Sequence, residues 1–394
     1  MSGLYHHPPG RLSRWGVVDV GLKCVHSCRH CFYSYLDGGA DQFAGMRRAK
    51  WHSAENLLAL VDSLAEHGFL GADITGGEPT AHPAIVDIVA HATRRGLASR
   101  IITLGQFLGK RDLLARLLDA GLVDFRFSLH ATEPALFKSM TGGELAPLVA
   151  AMDELQRRGF QCVTNTTITE ANYAELPAIA RWIAARGEVY QTTWLYFMPY
   201  YQWASEEHVD DHRVAYSAIA PYLREAVAIV EAAGIGATIR YAPQCTVRGM
   251  EKNHVGIVGV RHDPHEWGNA IDHRADPETA TPATMRAMGA PLPLHDAEAH
   301  YPLEFYRRGT PLIAARAGGS KVFPEKCRGC RAMAVCDGID GNYWARRGDA
   351  ELEPYGEFRG DLIDRARLQY KAAHVVKLAQ FADARGAVRA LLAP

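Results

Sequence analysis

Apolar positions in the first half of the chain follow two alternating rhythms. Short continuous apolar runs are followed by stretches whose apolar residues recur at helical spacing. Residues 17–22 read as a first strand. Ser53 then has the place of an N-cap, Leu57, Leu58, Val61 and Leu64 share one helical face, and Gly68 stops the helix. Residues 72–75 read as a second strand, cut off by Gly76-Gly77. Ile85, Ile88 and Val89 mark a second helix, stopped by Gly96. Further strands are expected at 100–104, 123–129, 160–168 and 189–198. Helices are expected at 113–120, 148–158 and 176–185, closed by Gly121, Gly159 and Gly187.

Such alternation builds a parallel sheet covered by helices. Six strand–helix units are short of a closed eight-stranded barrel. The expected fold is therefore α/β, a partial, open (β/α)6 TIM-like barrel over residues 1–205. Residues 206–240 are expected as a linking helix. From 241 to 301 the chain is rich in His, Asp, Pro and Gly and has little periodicity. Residues 241–345 are expected as a mostly irregular domain that needs an organiser other than apolar packing. Residues 346–394 are expected as a C-terminal helical segment.

The 394 residues are 48% apolar, enough for one large domain and a smaller one. A formal net charge of −1 gives no global case for nucleic acid or an acidic membrane surface. The chain shows no run long enough to span a bilayer, and residues 1–10 lack a secretory apolar stretch. The expectation is a cytoplasmic protein with neither a membrane nor a nucleic-acid partner.

Cysteine placement sharpens the picture. Of eight cysteines, three cluster as Cys24-x3-Cys28-x2-Cys31 and three as Cys327-x2-Cys330-x5-Cys336. In a large chain of this kind, clusters point to metal before disulfides. The first cluster follows the first strand, and parallel α/β sheets bind ligands at the C-terminal strand ends. Three thiolates suit a cubane iron–sulfur cluster with one iron left open. A zinc site completed by His26 or His30 is the alternative, since structural zinc takes four ligands.

Thr75-Gly76-Gly77-Glu78-Pro79-Thr80 closes the second strand, about 45 residues after the cysteine loop. Together the two motifs resemble the radical S-adenosylmethionine (SAM) superfamily, over about residues 15–200. The resemblance implies a [4Fe–4S] cluster on Cys24, Cys28 and Cys31 whose open iron chelates SAM. One electron from an external flavodoxin- or ferredoxin-type donor then splits SAM into methionine and a 5′-deoxyadenosyl radical. It further implies that Gly76, Gly77, Glu78 and Pro79 receive the methionine ammonium group. His30 stands where the family often has an aromatic residue, a position that meets adenine mainly through backbone; Phe32 and Tyr33 can wall the site. Ser128 matches a polar strand-four position that contacts ribose or carboxylate, and Asn165 is a similar candidate on strand five. Strand three reads Thr103-Leu104-Gly105, where many relatives carry Asn in the middle. His130 is a substrate ligand, a proton relay or a core histidine. Tyr196 and Met198 line the adenine pocket or pack.

The late cluster, with Cys245, supplies four thiolates, enough to close a second [4Fe–4S] cluster and organise the irregular segment. The spacing resembles the SPASM and shortened twitch auxiliary domains of radical SAM enzymes. The longer form has a further cysteine where this chain has Asp340, so one auxiliary cluster is expected. A zinc site on the same four cysteines, or a cluster without Cys245 and with an open iron, are the alternatives. Cys162 is a buried apolar cysteine or a hydrogen-atom donor to a substrate radical.

The resemblance implies an enzyme that takes a hydrogen atom from a small polar metabolite such as a sugar, nucleoside or aminocyclitol. Oxidation, epimerisation or elimination would follow, in natural-product or cofactor biosynthesis. The segment 254–273, with Asp263, Glu266 and Asp272, offers polar contacts or is a solvated loop. A peptide-modifying enzyme is the second reading, and an iron–sulfur carrier or scaffold the third.

Overall fold

The computed structural model describes residues 15–31, 33–34, 41–197, 212–255, 275–290, 321–332, 336 and 338–357. Seven strands lie in one sheet in sequential order: β1 (Trp15–Asp19), β2 (Gly71–Thr75), β3 (Ala98–Thr103), β4 (Asp124–Ser128), β5 (Cys162–Ile168), β6 (Val189–Tyr196) and β7 (Gly236–Arg240). Every neighbouring pair is parallel. Among the described residues β7 does not pair back with β1, so the barrel is open.

Helices fill the crossovers: α1 (Ala44–Arg48), α2 (Ala54–Glu66), α3 (Ile85–Arg94), α4 (Leu113–Asp119), α5 (Pro134–Thr141), α6 (Leu145–Arg157), α7 (Leu176–Ala184) and α8 (Tyr216–Ala232). Ser53 caps α2 by accepting the backbone N–H of Asn56 at 3.2 Å. Leu57, Leu60, Val61 and Leu64 are buried against the sheet. Each such side chain contributes roughly 1.5–3 kcal/mol by leaving water.

Alternation decides which side chains face the barrel interior. On β4, Phe125 and Phe127 belong to the apolar core, whereas Arg126 and Ser128 line the interior cavity. One layer toward the N-terminal strand ends, register aligns Asp73, Arg100 and Asp124 on three adjacent strands. Arg100 grips Asp73 through Nε at 2.6 Å and Nη2 at 2.5 Å, and the Tyr190 hydroxyl donates to Asp124 at 2.8 Å. These buried charges are paired, as their desolvation demands.

The structure departs from the sequence expectation at 206–240. The helix there is α8, and it packs on α7 as a barrel helix. Gly234, at φ +75°, ends it, and β7 then pairs with β6. The barrel thus has a seventh unit and extends to Arg240. Gly236-Ala-Thr-Ile-Arg hides its strand character, because small residues and an arginine occupy positions that face a polar interior.

Beyond β7 the described chain is sparse in regular structure. Helix α9 (Pro282–Met288) lies against α2, where Asn56 Nδ2 donates to the Ala280 carbonyl at 2.9 Å and Ser63 Oγ to that of Arg286 at 2.7 Å. Strands β8 (Lys321–Val322) and β9 (Ile339–Asp340) pair antiparallel, and α10 (Gly341–Arg347) follows. Asp340 caps α10 by accepting the N–H of Tyr343 at 2.9 Å. It also takes a buried hydrogen bond from Arg213 Nη2 at 2.9 Å. Asp340 therefore has both a docking and a capping task. Phe32, Met198, most of 254–273 and the expected terminal helix lie outside the described residues.

Candidate active site

A cavity of about 280 Å³ opens at the C-terminal ends of the strands. Its wall includes Cys24, Cys28, Cys31, His30, Gly76, Gly77, Glu78, Ser128, His130 and Asn165. The structure thus brings the first cysteine cluster, the Gly-Gly-Glu turn and the polar positions of β4 and β5 to one chamber. Pro79 is buried in the short helical turn just behind Glu78. Cys162 is not brought there: it starts β5, fully buried in the apolar core.

The cysteine loop is held by backbone contacts on two sides. Ser27 and Arg29 donate to the carbonyls of Thr141 and Met140, both at 2.9 Å, at the end of α5. Gly77 donates to Gly21 at 2.8 Å and Glu78 to Lys23 at 3.2 Å. A Cβ at position 77 would sit 2.1 Å from the Lys23 carbonyl oxygen, and Gly76 has φ +129°. Only glycine lets these two loops lie together.

Glu78 is 1% exposed and accepts from every side. Its Oε1 takes Thr80 N at 3.0 Å, the Thr80 hydroxyl, and Thr103 Oγ1 at 2.7 Å. Its Oε2 takes His26 Nε2 at 3.1 Å and Leu104 N at 3.2 Å. Burial pushes this carboxyl up, but the hydrogen bonds from His26, Thr80 and Thr103 outweigh it and hold the group below its ordinary range. The doubtful strand-three position, Leu104, therefore acts through its backbone. His26, read from the sequence only as an alternative zinc ligand, is thus part of the site, as are Thr80 and Thr103, to which sequence spacing assigns no role.

His30 and His130 meet edge to face, ring centroids 4.3 Å apart and Nε2 atoms 3.3 Å apart. His130 Nδ1 accepts the N–H of Thr167 at 3.1 Å. Neutral His130 then carries its proton on Nε2 and donates it to His30 Nε2, which leaves the His30 proton on Nδ1. Burial pushes His130 down to about 3 and His30 well below its usual value, with His130 and His212 adding to the latter. Ser128 Oγ and Asn165 Oδ1, aligned by register, are 3.5 Å apart on the cavity wall. Arg126, Arg240 and Thr167 also line it. Alternation from Ser128 and Asn165 places Arg126 and Thr167 on the same face, a signal the sequence carried.

A profile of the radical SAM superfamily matches residues 18–183. The barrel carries a radical SAM domain. Over 159 residues the chain is 27% identical to the probable GTP 3′,8-cyclase of Sulfolobus acidocaldarius, which covers 40% of this chain and 49% of that protein. Over 193 residues it is 29% identical to the PqqA peptide cyclase of Xanthomonas campestris pv. campestris, 48% of this chain and 47% of that protein. The chain spans about half the length of the curated relatives it matches. Among solved structures, Streptococcus suis SuiB bound to S-adenosylmethionine shares the fold with a TM-score of 0.54 at 13% identity, covering 90% of this chain and 79% of SuiB.

The radical SAM family uses SAM and a [4Fe–4S] cluster, and the residues present fit them. Burial pushes the Cys24 thiol up, aided by Glu78 and Cys31; burial likewise raises Cys28, aided by Cys31, Cys24 and Glu78. Thiols crowded so disfavour the thiolate until a cationic group sits among them. Among the described residues no three His, Cys, Asp or Glu side chains converge tightly enough to share one ion. A cluster, with each thiolate on its own iron, needs no such convergence. The glycine turn leaves backbone at the wall for the second ligand.

Past the C-terminal end of β7, Cys245, Cys327, Cys330 and Cys336 surround a second cavity of about 20 Å³ with Gln244 and Tyr355. Cys336 Sγ accepts the N–H groups of Gln244 at 3.2 Å and Gly338 at 3.3 Å, and Cys330 Sγ that of Tyr355 at 3.3 Å. Burial pushes Cys327 up to about 11, with Cys245 and Cys330 adding to it. Backbone N–H donors aimed at sulfur are the means by which proteins stabilise thiolate clusters. Among the described residues no helix is long and apolar enough to cross a membrane.

Proposed function

We propose that this chain is a radical SAM enzyme that removes a hydrogen atom from a small polar metabolite, such as a sugar, nucleoside or aminocyclitol. Oxidation, epimerisation or elimination follows. The observation that carries the reading is the single chamber holding Cys24, Cys28, Cys31, Gly76, Gly77, Glu78, Ser128 and Asn165.

When bound, the cluster and SAM supply one electron and a 5′-deoxyadenosyl radical. The protein's own part is placement. Cys24, Cys28 and Cys31 would hold the cluster, and the backbone of Gly76 and Gly77 would meet the methionine end of SAM. Glu78 ties that turn to the cysteine loop through His26 and to the end of β3 through Thr103 and Leu104, while Thr80 holds it from within the turn. Ser128 and Asn165 would bind the ribose or carboxylate. His130 holds His30, and hence the loop between the second and third cysteines, in one orientation. Arg126, Arg240 and Thr167 give the chamber hydrogen-bond donors suited to a hydroxyl-rich substrate.

Cys245, Cys327, Cys330 and Cys336 would hold one auxiliary [4Fe–4S] cluster. Its three backbone N–H···S contacts support that reading. An auxiliary cluster favours net oxidation, because it can take the substrate radical's electron. The substrate radical would then lose its proton to solvent, and its electron would pass through that cluster back to the flavodoxin- or ferredoxin-type carrier that supplied one for SAM cleavage, so that each turnover balances.

A peptide-modifying role is the second reading. It draws on the relative named PqqA peptide cyclase and on SuiB, also solved bound to precursor peptide SuiA. The test is anaerobic reconstitution followed by SAM and dithionite. Formation of 5′-deoxyadenosine is expected, and deuterium carried into it from a labelled candidate identifies the substrate. Absence of 5′-deoxyadenosine from fully iron-loaded protein would refute the proposal.

A further inference from the structure

At the junction of the barrel with the cysteine-rich segment lies a third cavity of about 10 Å³. Tyr196, Arg213, Tyr216, Asp340 and Tyr343 line it. Tyr196 ends β6 with its ring packed on Tyr216 of α8, centroids 5.5 Å apart. Three atoms there have no hydrogen-bond partner among the described residues: the Tyr196 hydroxyl, Arg213 Nη1 and Asp340 Oδ2. Their side chains belong to residues only 3%, 6% and 4% exposed. Neighbouring atoms of the same side chains are bonded. Arg213 Nη2 donates to Asp340 Oδ1 at 2.9 Å, and the same oxygen accepts Tyr343 N at 2.9 Å.

Buried polar atoms are rarely left bare, since each one forfeits its bond to water. A single water needs roughly 10–15 Å³ and two to four polar partners. The three atoms also match water in kind. A guanidinium N–H and a phenol O–H donate to its two lone pairs, and the carboxylate oxygen accepts one of its hydrogens.

We propose that this cavity binds one ordered water, held by Tyr196, Arg213 and Asp340. The water joins the end of β6 to a carboxylate on the cysteine-rich segment through hydrogen bonds, and so fixes the Tyr196 ring at that junction, independent of which substrate the chamber takes.

A crystal structure of the full chain, at a resolution that shows ordered solvent, tests this directly. A solvent peak within hydrogen-bond distance of all three atoms is expected. An empty cavity, or the three atoms bonded to protein groups instead, overturns the proposal. Thermal unfolding of Tyr196→Phe gives a second arm with a definite sign. If the hydroxyl holds water, its removal lowers the melting temperature. If the hydroxyl is bare, phenylalanine sheds a desolvated group and the melting temperature stays or rises, which overturns the proposal. In the Tyr196→Phe crystal the water should persist on Arg213 and Asp340, while the ring at 196 leaves its rotamer or becomes less ordered. A ring unmoved and equally ordered overturns the claim that the water fixes it.

Discussion

Replacing Glu78 with glutamine keeps the shape of the side chain and removes its charge. Three donors, Thr80 N, Thr80 Oγ1 and Thr103 Oγ1, converge on Oε1. The carbonyl oxygen of the glutamine must therefore stay there. Its NH2 then faces His26 Nε2 and Leu104 N, which lie 3.1 and 3.2 Å from Oε2. His26 can switch tautomer and accept. Leu104 N–H cannot, and becomes an unsatisfied buried donor at a cost of about 1–3 kcal/mol. The remaining bonds lose their charge assistance, which roughly halves them. Together these give about 3–5 kcal/mol, a large part of the 5–15 kcal/mol typical of a folded domain.

At roughly 2 °C per kcal/mol for a chain of this size, Glu78→Gln should melt about 6–10 °C below wild type. The measurement is thermal unfolding of the apoprotein by far-ultraviolet circular dichroism, without SAM. Glu78→Ala should fall further, since it strands all five donors. A Glu78→Gln protein that melts with wild type, yet has lost SAM affinity, would refute the structural role of these bonds and make the carboxylate a direct SAM ligand.

Gly77→Ala forces a Cβ to within 2.1 Å of the Lys23 carbonyl oxygen. The cysteine loop must move, so iron loading at the first site and the spectroscopic response to SAM should both drop; unchanged values would contradict the geometry. Changing Cys327 and Cys330 to alanine should lower iron from roughly eight to roughly four per chain while the first cluster's SAM response survives. About one zinc and four iron in the wild-type chain, with the zinc lost on the same change, would instead show a zinc site. Burial pushes Asp124 up to about 7, against the pull of Arg100, Tyr190 and Arg126. Between about pH 4 and 7 the folded chain holds a proton that the unfolded chain releases, so stability falls as pH rises through that window, by up to ~4 kcal/mol. Asp124→Asn should flatten the dependence of the urea midpoint between pH 5 and 8; an unchanged slope would assign it elsewhere.

What could be read from the sequence was what lies close along the chain. Cys24, Cys28 and Cys31 are neighbours, as are Gly76, Gly77 and Glu78, and helix faces such as Leu57, Val61 and Leu64 announce themselves by spacing. Partners supplied from afar did not show. His26 and Thr103 reach Glu78 from sequence separations of 52 and 25 residues. β7 was missed because its interior-facing arginine breaks the apolar run that marks a strand. The Asp340 position was read only as a missing cysteine, while its partner Arg213 lies 127 residues away.

Those long-range bonds make the strand ends one unit. The cysteine loop rests on Gly77 and Glu78, Glu78 on Thr103 and Leu104 after β3, and His30 on His130 after β4. His130 rests in turn on Thr167 of β5. Five neighbouring strands thus bear on one loop, β1 through the chain itself and β2 to β5 through these bonds. Sheet register, fixed by the packing of helices on its outer face, therefore sets where the three sulfurs stand. A loop with the same cysteines but without that support would supply the ligands and lose their placement, which is the part that SAM binding needs.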